Sequence, residues 1–231
     1  MPVAPLRPAR PVRSFVRREG RMTPAQRRAL EDLWPVYGID GGIAPLDWEM
    51  VFGDLRPVTL EIGFGDGESL RAMAQEAPGA GFIGIDPHRP GAGRFLRDLA
   101  HDDIQNVRVI VGDAAEVIPK QVPPASLDRI LVFFPDPWPK KRHHKRRLLS
   151  EAFLKELADR LKSGGSLQVA TDWPEYGKEI LAAIDQLPTL ENTAGIGTFS
   201  PRPAWRPLTK YERRGLQLGH SIFDIAAQRR P

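Results

Sequence analysis

Cysteine is missing altogether from the 231 residues. Disulfide staples and thiolate metal sites are thereby excluded, and a reducing compartment is compatible with the chain. No apolar run reaches the length needed to cross a bilayer, and no basic-then-apolar stretch opens the sequence in the manner of a secretion signal. The expectation is therefore a cytoplasmic protein that does not enter membranes. Internal repeats and metal-ligand spacings are also lacking, so no metal is expected. Acid is scarce at the start: Pro2, Pro5, Pro8 and Pro11 stand among eight arginines in residues 1–28, with Glu19 the sole carboxylate. So many prolines and so little apolar surface point to a disordered, basic arm over residues 1–30 that touches phosphates without reading sequence. A short helix is expected to follow from Pro24 to Leu33, with Thr23 as N-cap and Pro24 at its first position.

Residues 31–231 are long enough for one α/β domain, and a hydrophobic content of 41% suits a packed core. Ile130 to Phe134 reads as a strand buried on both faces. It breaks at Pro135-Asp136-Pro137-Trp138-Pro139, where three prolines remove backbone donors and fix the turn. Directly after come Lys140, Lys141, Arg142, His143, His144, Lys145, Arg146 and Arg147, six of them Lys or Arg. A carboxylate at a strand end, beside an indole and a basic run, suggests chemistry on a nucleic-acid base.

The rest of the chain supports a parallel sheet. Val58 to Ile62 is an apolar strand leading into Glu61-Ile62-Gly63-Phe64-Gly65-Asp66-Gly67, with a helix from Glu68 to about Ala77. Strand, glycine turn and helix form the opening of a nucleotide-binding fold. The spacing G-x-G-x-G differs from the dinucleotide pattern G-x-G-x-x-G, and Glu61 and Asp66 disfavour a diphosphate. A cationic or zwitterionic ligand fits better.

Phe82 to Asp86 is the second strand, and Asp86 is placed to accept from both ribose hydroxyls. Val107 to Val111 is the third, followed by Asp113, either an acceptor for an adenine amino group or a cap for the next helix. Glu61, Asp86, Asp113 and Asp136 thus fall at successive strand ends, which line one crevice in an open parallel sheet. A helix from Leu148 to Leu161 should end at Ser163-Gly164-Gly165, with a strand from Ser166 to Ala170 and a further acid in Thr171-Asp172-Trp173. After a further helix to about Gln186, Leu187 to Pro203 reads as loop and weak strand. Thr209-Lys210-Tyr211-Glu212 reads as a polar loop before an edge strand, Ser221 to Ala226.

The segments E-I-G-F-G-D-G (Glu61 to Gly67), F-F-P-D-P-W-P-K-K-R-H-H-K-R-R (Phe133 to Arg147), T-D-W (Thr171 to Trp173) and T-K-Y-E-R-R-G…G-H (Thr209 to His220) together resemble the bacterial tRNA (guanine-N7-)-methyltransferases. The likeness covers roughly residues 45–226. It implies a Rossmann-like class I methyltransferase: a seven-stranded, mostly parallel sheet with an antiparallel last strand and helices on both faces. It also implies S-adenosyl-L-methionine as methyl donor and a guanosine in the variable loop of tRNA as acceptor. Glu61, Gly63, Gly65, Asp86, Asp113 and Asp136 would hold the donor, with Asp136 catalytic. Lys140, Asp172, Thr209, Lys210, Tyr211 and Glu212 would hold the target nucleotide, and Arg142, His143, His144, Lys145, Arg146 and Arg147 would meet the RNA. A monomer or a homodimer is compatible with this pattern.

Three rivals carry different marks. An amino-group methyltransferase would place two prolines before its aromatic ring, whereas Pro135 here precedes the aspartate. A dinucleotide dehydrogenase is disfavoured by the glycine spacing. A silent RNA-binding protein of the same fold would fail to bind the methyl donor.

Overall fold

The structure, a computed structural model, describes residues 22–231. Most of the basic arm expected over residues 1–30 lies outside the described residues. Its last part is folded, so the ordered domain begins before residue 31. Thr23 caps helix α1 (Pro24–Asp32) with a reciprocal capping box to Gln26. Helix α1 packs across the helix Arg89–His101 closely enough that a Cβ on Gly93 would meet the Gln26 carbonyl oxygen at 2.5 Å.

The chain continues through α2 (Trp34–Tyr37) and α3 (Trp48–Phe52) into β1 (Val58–Ile62) and α4 (Glu68–Glu76). Then come β2 (Gly81–Asp86), α5 (Arg89–His101), β3 (Val107–Val111), α6 (Ala114–Gln121) and β4 (Leu127–Phe133). A 3-10 helix (Lys141–Arg146) precedes α7 (Glu151–Arg160), β5 (Leu161–Thr171) and α8 (Pro174–Gln186). The chain closes with β6 (Leu190–Asn192), α9 (Lys210–Gln217) and β7 (Phe223–Arg229).

Among the described residues the strands form one seven-stranded sheet in the order β3-β2-β1-β4-β5-β7-β6. β1 to β5 run parallel, and β7 is antiparallel to both β5 and β6. The architecture and the antiparallel last strand agree with the sequence reading.

Alternation along the strands sorts the core into two layers. Leu60 and Ile62 of β1, with Ile130 and Val132 of β4, pack with α6, α7 and α8. Leu131 and Phe133 of β4 pack on the other face with α1, α4 and α5. Glu61, between Leu60 and Ile62, therefore faces the second layer. Strand order reverses between β1 and β4, so the crevice at their C-terminal ends is the switch point where ligands bind in open α/β sheets. Among the described residues no helix is long and apolar enough to cross a membrane.

Several elements differ from expectation: β4 begins at Leu127, and β7, expected as an edge strand from Ser221 to Ala226, spans Phe223–Arg229 between β5 and β6. The helix after the basic run starts only at Glu151, capped by Ser150, and ends at Arg160. The segment Ser163-Gly164-Gly165 lies inside β5, where a register shift opposite Leu127 and Arg129 takes up the extra residues.

Candidate active site

The glycine turn between β1 and α4 is held from below by Asp86. Its Oδ2 accepts from the Gly65 amide at 2.9 Å and its Oδ1 from the His88 amide at 2.7 Å. Gly63 and Gly65 take φ of 79° and 59°, where a side chain would be strained. Burial raises the Asp86 pKa, and these two amides work against that rise. One carboxylate oxygen thus fixes the glycine turn and the other the entry to α5, in addition to any contact Asp86 makes with a ligand.

Glu61 is 2% exposed, and its Oε2 has no hydrogen-bond partner. Burial, reinforced by the nearby charge of Asp86, pushes its pKa up to about 8. The carboxyl lines a pocket with Phe64, Ser69, Phe134, Thr209 and Tyr211. Ser69 Oγ is a second buried polar atom without a partner on that wall. Orphaned polar groups of this kind are costly unless a ligand satisfies them. An acceptor-only carboxylate suits a cationic group, so the donor set fits a zwitterionic or cationic ligand such as S-adenosylmethionine.

The opposite wall comes from α9, a helix where a polar loop was expected. Thr209 is its N-cap, its Oγ1 accepting from the Glu212 amide at 3.2 Å. Glu68, the first residue of α4, accepts from the Lys210 amide at 3.0 Å and from Arg213 Nη2 at 2.7 Å. Lys210 Nζ pairs with Asp66 of the glycine turn. Tyr211, 53% exposed, lies over the turn, with its ring 3.8 Å from where a Gly65 Cβ would stand. Four ion-pairing side chains thus join the two walls.

Glu212 does not join them. It is 1% exposed and is held by Arg206 and Arg202, while Arg206 also reaches Asp224 of β7. In the free protein Glu212, expected to hold the nucleotide, anchors α9 to the sheet. Arg206 further covers the rings of Phe133 and Phe134, at 5.6 and 6.0 Å, and so links α9 to the end of β4.

Beyond β4 the backbone turns sharply. Phe134 and Trp138, neither of them glycine, take φ of 53° and 46° on either side of Pro135-Asp136-Pro137. Such conformations cost about 1–3 kcal/mol each and persist only where neighbours impose them. The Phe134 amide donates to the Ala170 carbonyl at 2.7 Å. Arg146 covers the Trp138 ring at 4.9 Å, and His143 meets the same ring edge-on at 5.8 Å. Asp136 itself is exposed at the tip.

The basic run is a 3-10 helix in which Lys140, Lys141, Arg142 and Lys145 are exposed. The limited burial of His143 and the cations around it lower its pKa. Arg147 is the exception to the run. Its side chain is 4% exposed and turned inward, donating from Nε to the Pro137 carbonyl at 2.8 Å and pairing with Glu179 of α8. It thus points away from the exposed face on which the rest of the run was expected to meet RNA. His144 also faces inward, its Nδ1 at 4.0 Å from Glu179 Oε1. Among the described residues, His144, Glu175 and Glu179 bring possible metal-ligating atoms within 4.8 Å, but Arg147 already neutralises Glu179.

The structure therefore brings Glu61, Gly63, Thr209, Lys210 and Tyr211 around one pocket, with Gly65 and Asp86 beneath the turn. Asp113 stands at the end of β3, where its Oδ1 accepts from the Ala115 amide and caps α6. Asp172 follows β5 with its Oδ2 at 3.2 Å from His220 Nδ1. Glu68, Ser69, Phe134, Arg202 and Arg206 were not singled out from sequence. Glu68 opens a helix and so reads as a dipole-compensating acid, and nothing in the local pattern marks Arg206 as buried.

Comparison with known proteins follows the same lines. A family model described as "Putative methyltransferase" matches residues 55–225. A tRNA (guanine-N(7)-)-methyltransferase of Alkalilimnicola ehrlichii is 50% identical over 223 residues, covering 96% of this chain and 94% of the relative. Its counterpart in Methylococcus capsulatus is 50% identical over 222 residues, covering 96% of each chain. Among solved structures, the 16S rRNA methyltransferase KamB superposes with a TM-score of 0.53 at 16% identity, over 80% of this chain and 93% of that one. Geranyl diphosphate C-methyltransferase from Streptomyces coelicolor gives 0.53 at 17% identity, over 91% and 94%. At these identities the two structures speak to the fold alone.

Proposed function

The chain belongs to the tRNA (guanine-N(7)-)-methyltransferases, and from that premise we infer that it methylates N7 of a guanosine in tRNA, giving 7-methylguanosine and S-adenosylhomocysteine. The observation that carries this reading is one pocket uniting Glu61, whose Oε2 is buried and unpartnered, with Thr209, Lys210 and Tyr211 of α9. That the glycine turn and the start of α9 face each other across this pocket supports reading them as donor-binding and nucleotide-binding walls.

S-adenosylmethionine, when bound, supplies a methyl group activated by a sulfonium sulfur. In this reading Glu61, Gly63, Gly65, Asp86 and Asp113 hold it, with Ser69 adding a hydroxyl from the wall. Lys140, Asp172, Thr209, Lys210 and Tyr211 hold the target nucleotide. Guanine N7 has an in-plane lone pair and no proton, so its attack requires no base. The N7–C bond forms as the C–S bond breaks, and the positive charge passes from sulfur to the purine. Asp136 accordingly acts by orienting the guanine and stabilising the cationic ring, not by taking a proton. Exposed Lys141, Arg142 and Lys145 meet phosphates, with half-buried Arg146 and His143 beside them, which positions the RNA without reading its sequence.

The guanine must be reachable, which favours a variable-loop site over a continuous duplex. Such an enzyme works in the cytoplasm, as a monomer or a homodimer. The test is transfer of labelled methyl from S-adenosylmethionine to unmodified tRNA. Label entering tRNA with the natural sequence, and lost with Asp136→Ala, supports the reading. Tight tRNA binding without donor binding would instead indicate a silent RNA-binding protein.

A further inference from the structure

Arg147 closes the basic run in sequence but leaves it in space, and it reaches the strained turn that carries Asp136. Its Nε donates to the carbonyl of Pro137, the residue directly after Asp136, at 2.8 Å. Its Nη1 pairs with Glu179, and its guanidinium covers the Tyr176 ring at 4.9 Å, both on α8. Its Nη2 is buried and makes no hydrogen bond. Tyr176 is fixed in turn, because its hydroxyl accepts from the Leu149 amide at 3.0 Å. Burial pushes that phenol up to about 12, and the charges of Glu179 and Asp136 add to the rise. Asp136 therefore lies within electrostatic reach of this cluster.

An arginine is suited to this task. Its planar fork serves a carbonyl and a carboxylate at once while its face rests on a ring, which a lysine ammonium does not reproduce. The prolines either side of Asp136 limit the backbone, and the left-handed Phe134 and Trp138 must be held in place. The Ala170 carbonyl holds the first of these ends. We propose that Arg147, braced by Glu179 and Tyr176, is a positioning residue that holds the Pro135-Asp136-Pro137 turn in its catalytic geometry from beneath, and that it makes no contact with RNA. The proposal rests on the reading of Asp136 as catalytic given above.

The test compares Arg147→Ala, Arg147→Lys and Glu179→Gln with Arg142→Ala and Lys145→Ala. It measures turnover at saturating tRNA per S-adenosylhomocysteine-binding site, and tRNA affinity across a salt series. Counting donor-binding sites removes any loss due to misfolded protein. For Arg147→Ala the expected result is turnover about tenfold or more below wild type, as for other lost positioning contacts. Its tRNA affinity and salt slope should stay within about twofold of wild type, since no phosphate contact is lost. Arg147→Lys should recover part of the turnover, and Glu179→Gln should lower it in the same direction. The exposed residues should behave differently, each weakening tRNA affinity and lowering the salt slope by about one.

Wild-type turnover per site in all three variants at Arg147 and Glu179 would overturn the proposal. So would a weakened tRNA affinity with a shallower salt slope in Arg147→Lys and Arg147→Ala. A wild-type protein that forms no 7-methylguanosine would be a different failure, that of the functional reading itself.

Discussion

Arg206 grips both oxygens of Glu212, Nη1 to Oε2 at 2.6 Å and Nη2 to Oε1 at 2.9 Å, with neither side chain more than 1% exposed. Asp224 lies 3.0 Å from Arg206 Nε, so three charged groups from the loop before α9, from α9 and from β7 close on one another. Neutralising Glu212 leaves Arg202 without its carboxylate and Arg206 with Asp224 alone, at a cost of up to about 3–5 kcal/mol. Glu212→Gln is therefore expected to lower the unfolding free energy by that order in urea titrations. A variant of unchanged stability and raised tRNA KM would return Glu212 to the nucleotide-binding set.

With Glu61 as a donor ligand, as proposed, donor binding should depend on pH. With its pKa near 8 in the free protein, the carboxyl is largely protonated at neutral pH. A cationic ligand favours the ionised form, so binding releases a proton. Affinity for S-adenosylmethionine should rise by up to about tenfold per pH unit below about pH 8 and level off above it. Isothermal titration in buffers of differing ionisation enthalpy counts the proton released. Glu61→Gln should bind more weakly and lose the pH dependence.

The same carboxyl affects stability in the opposite sense. Its folded pKa of about 8 lies above its ordinary value of 4.5, so the native state binds the extra proton between those values. Stability contributed by the neutral carboxyl is thus fully present below pH 4.5 and is lost as pH rises towards about 8, by at most about 1.4 kcal/mol per unit. Glu61→Gln should therefore gain stability relative to wild type as pH is raised from 5 to 8, a trend thermal melts at several pH values would show. A constant difference between the two proteins across that range would refute the assignment.

Glu68 and Arg213 tie the start of α9 to the start of α4 from half-exposed positions. Pairs of that kind are worth about 0–1 kcal/mol. Glu68→Arg is expected to raise the tRNA KM by no more than about fivefold for each pair broken. The reversed pair, Glu68→Arg with Arg213→Glu, should recover part of that loss. No recovery in the double variant would mean that the effect does not pass through this ion pair.

Asp136 is assigned an electrostatic and orienting role. Asp136→Asn keeps the shape and removes the charge, so turnover should fall by about 10²–10³, the range seen when one preorganised electrostatic contact is lost. Donor affinity, measured by S-adenosylhomocysteine binding, should change little. Near-normal turnover in the asparagine variant would rule out the charge as the working feature.

How far these features were legible in the sequence depended on whether their causes were local. β1 and β3 matched their expected bounds because short apolar runs meet turn residues at both ends. The strand-end acids were legible for the same reason. α9 was missed because its buried side is made by Glu212 and Gly215, and its supports Asp66 and Glu68 come from a distant part of the chain. Arg147 looked like its neighbours in the basic run, and only the placing of α8 beneath the turn draws it inward. Ser163-Gly164-Gly165 carried a helix-stop signal, yet β5 begins at Leu161 through pairing with Leu127 of β4. In each miss a distant partner outweighed the local pattern.

The most direct measurement is the identity of the methylated nucleoside. Unmodified tRNA is incubated with the enzyme and labelled S-adenosylmethionine, digested to nucleosides and separated, alongside the Asp136→Ala variant. The expected result is a single labelled peak at 7-methylguanosine that is lost in the variant. Label in a methyladenosine, a methylcytidine or a guanosine methylated at another nitrogen would leave the fold and donor in place and contradict the assigned reaction.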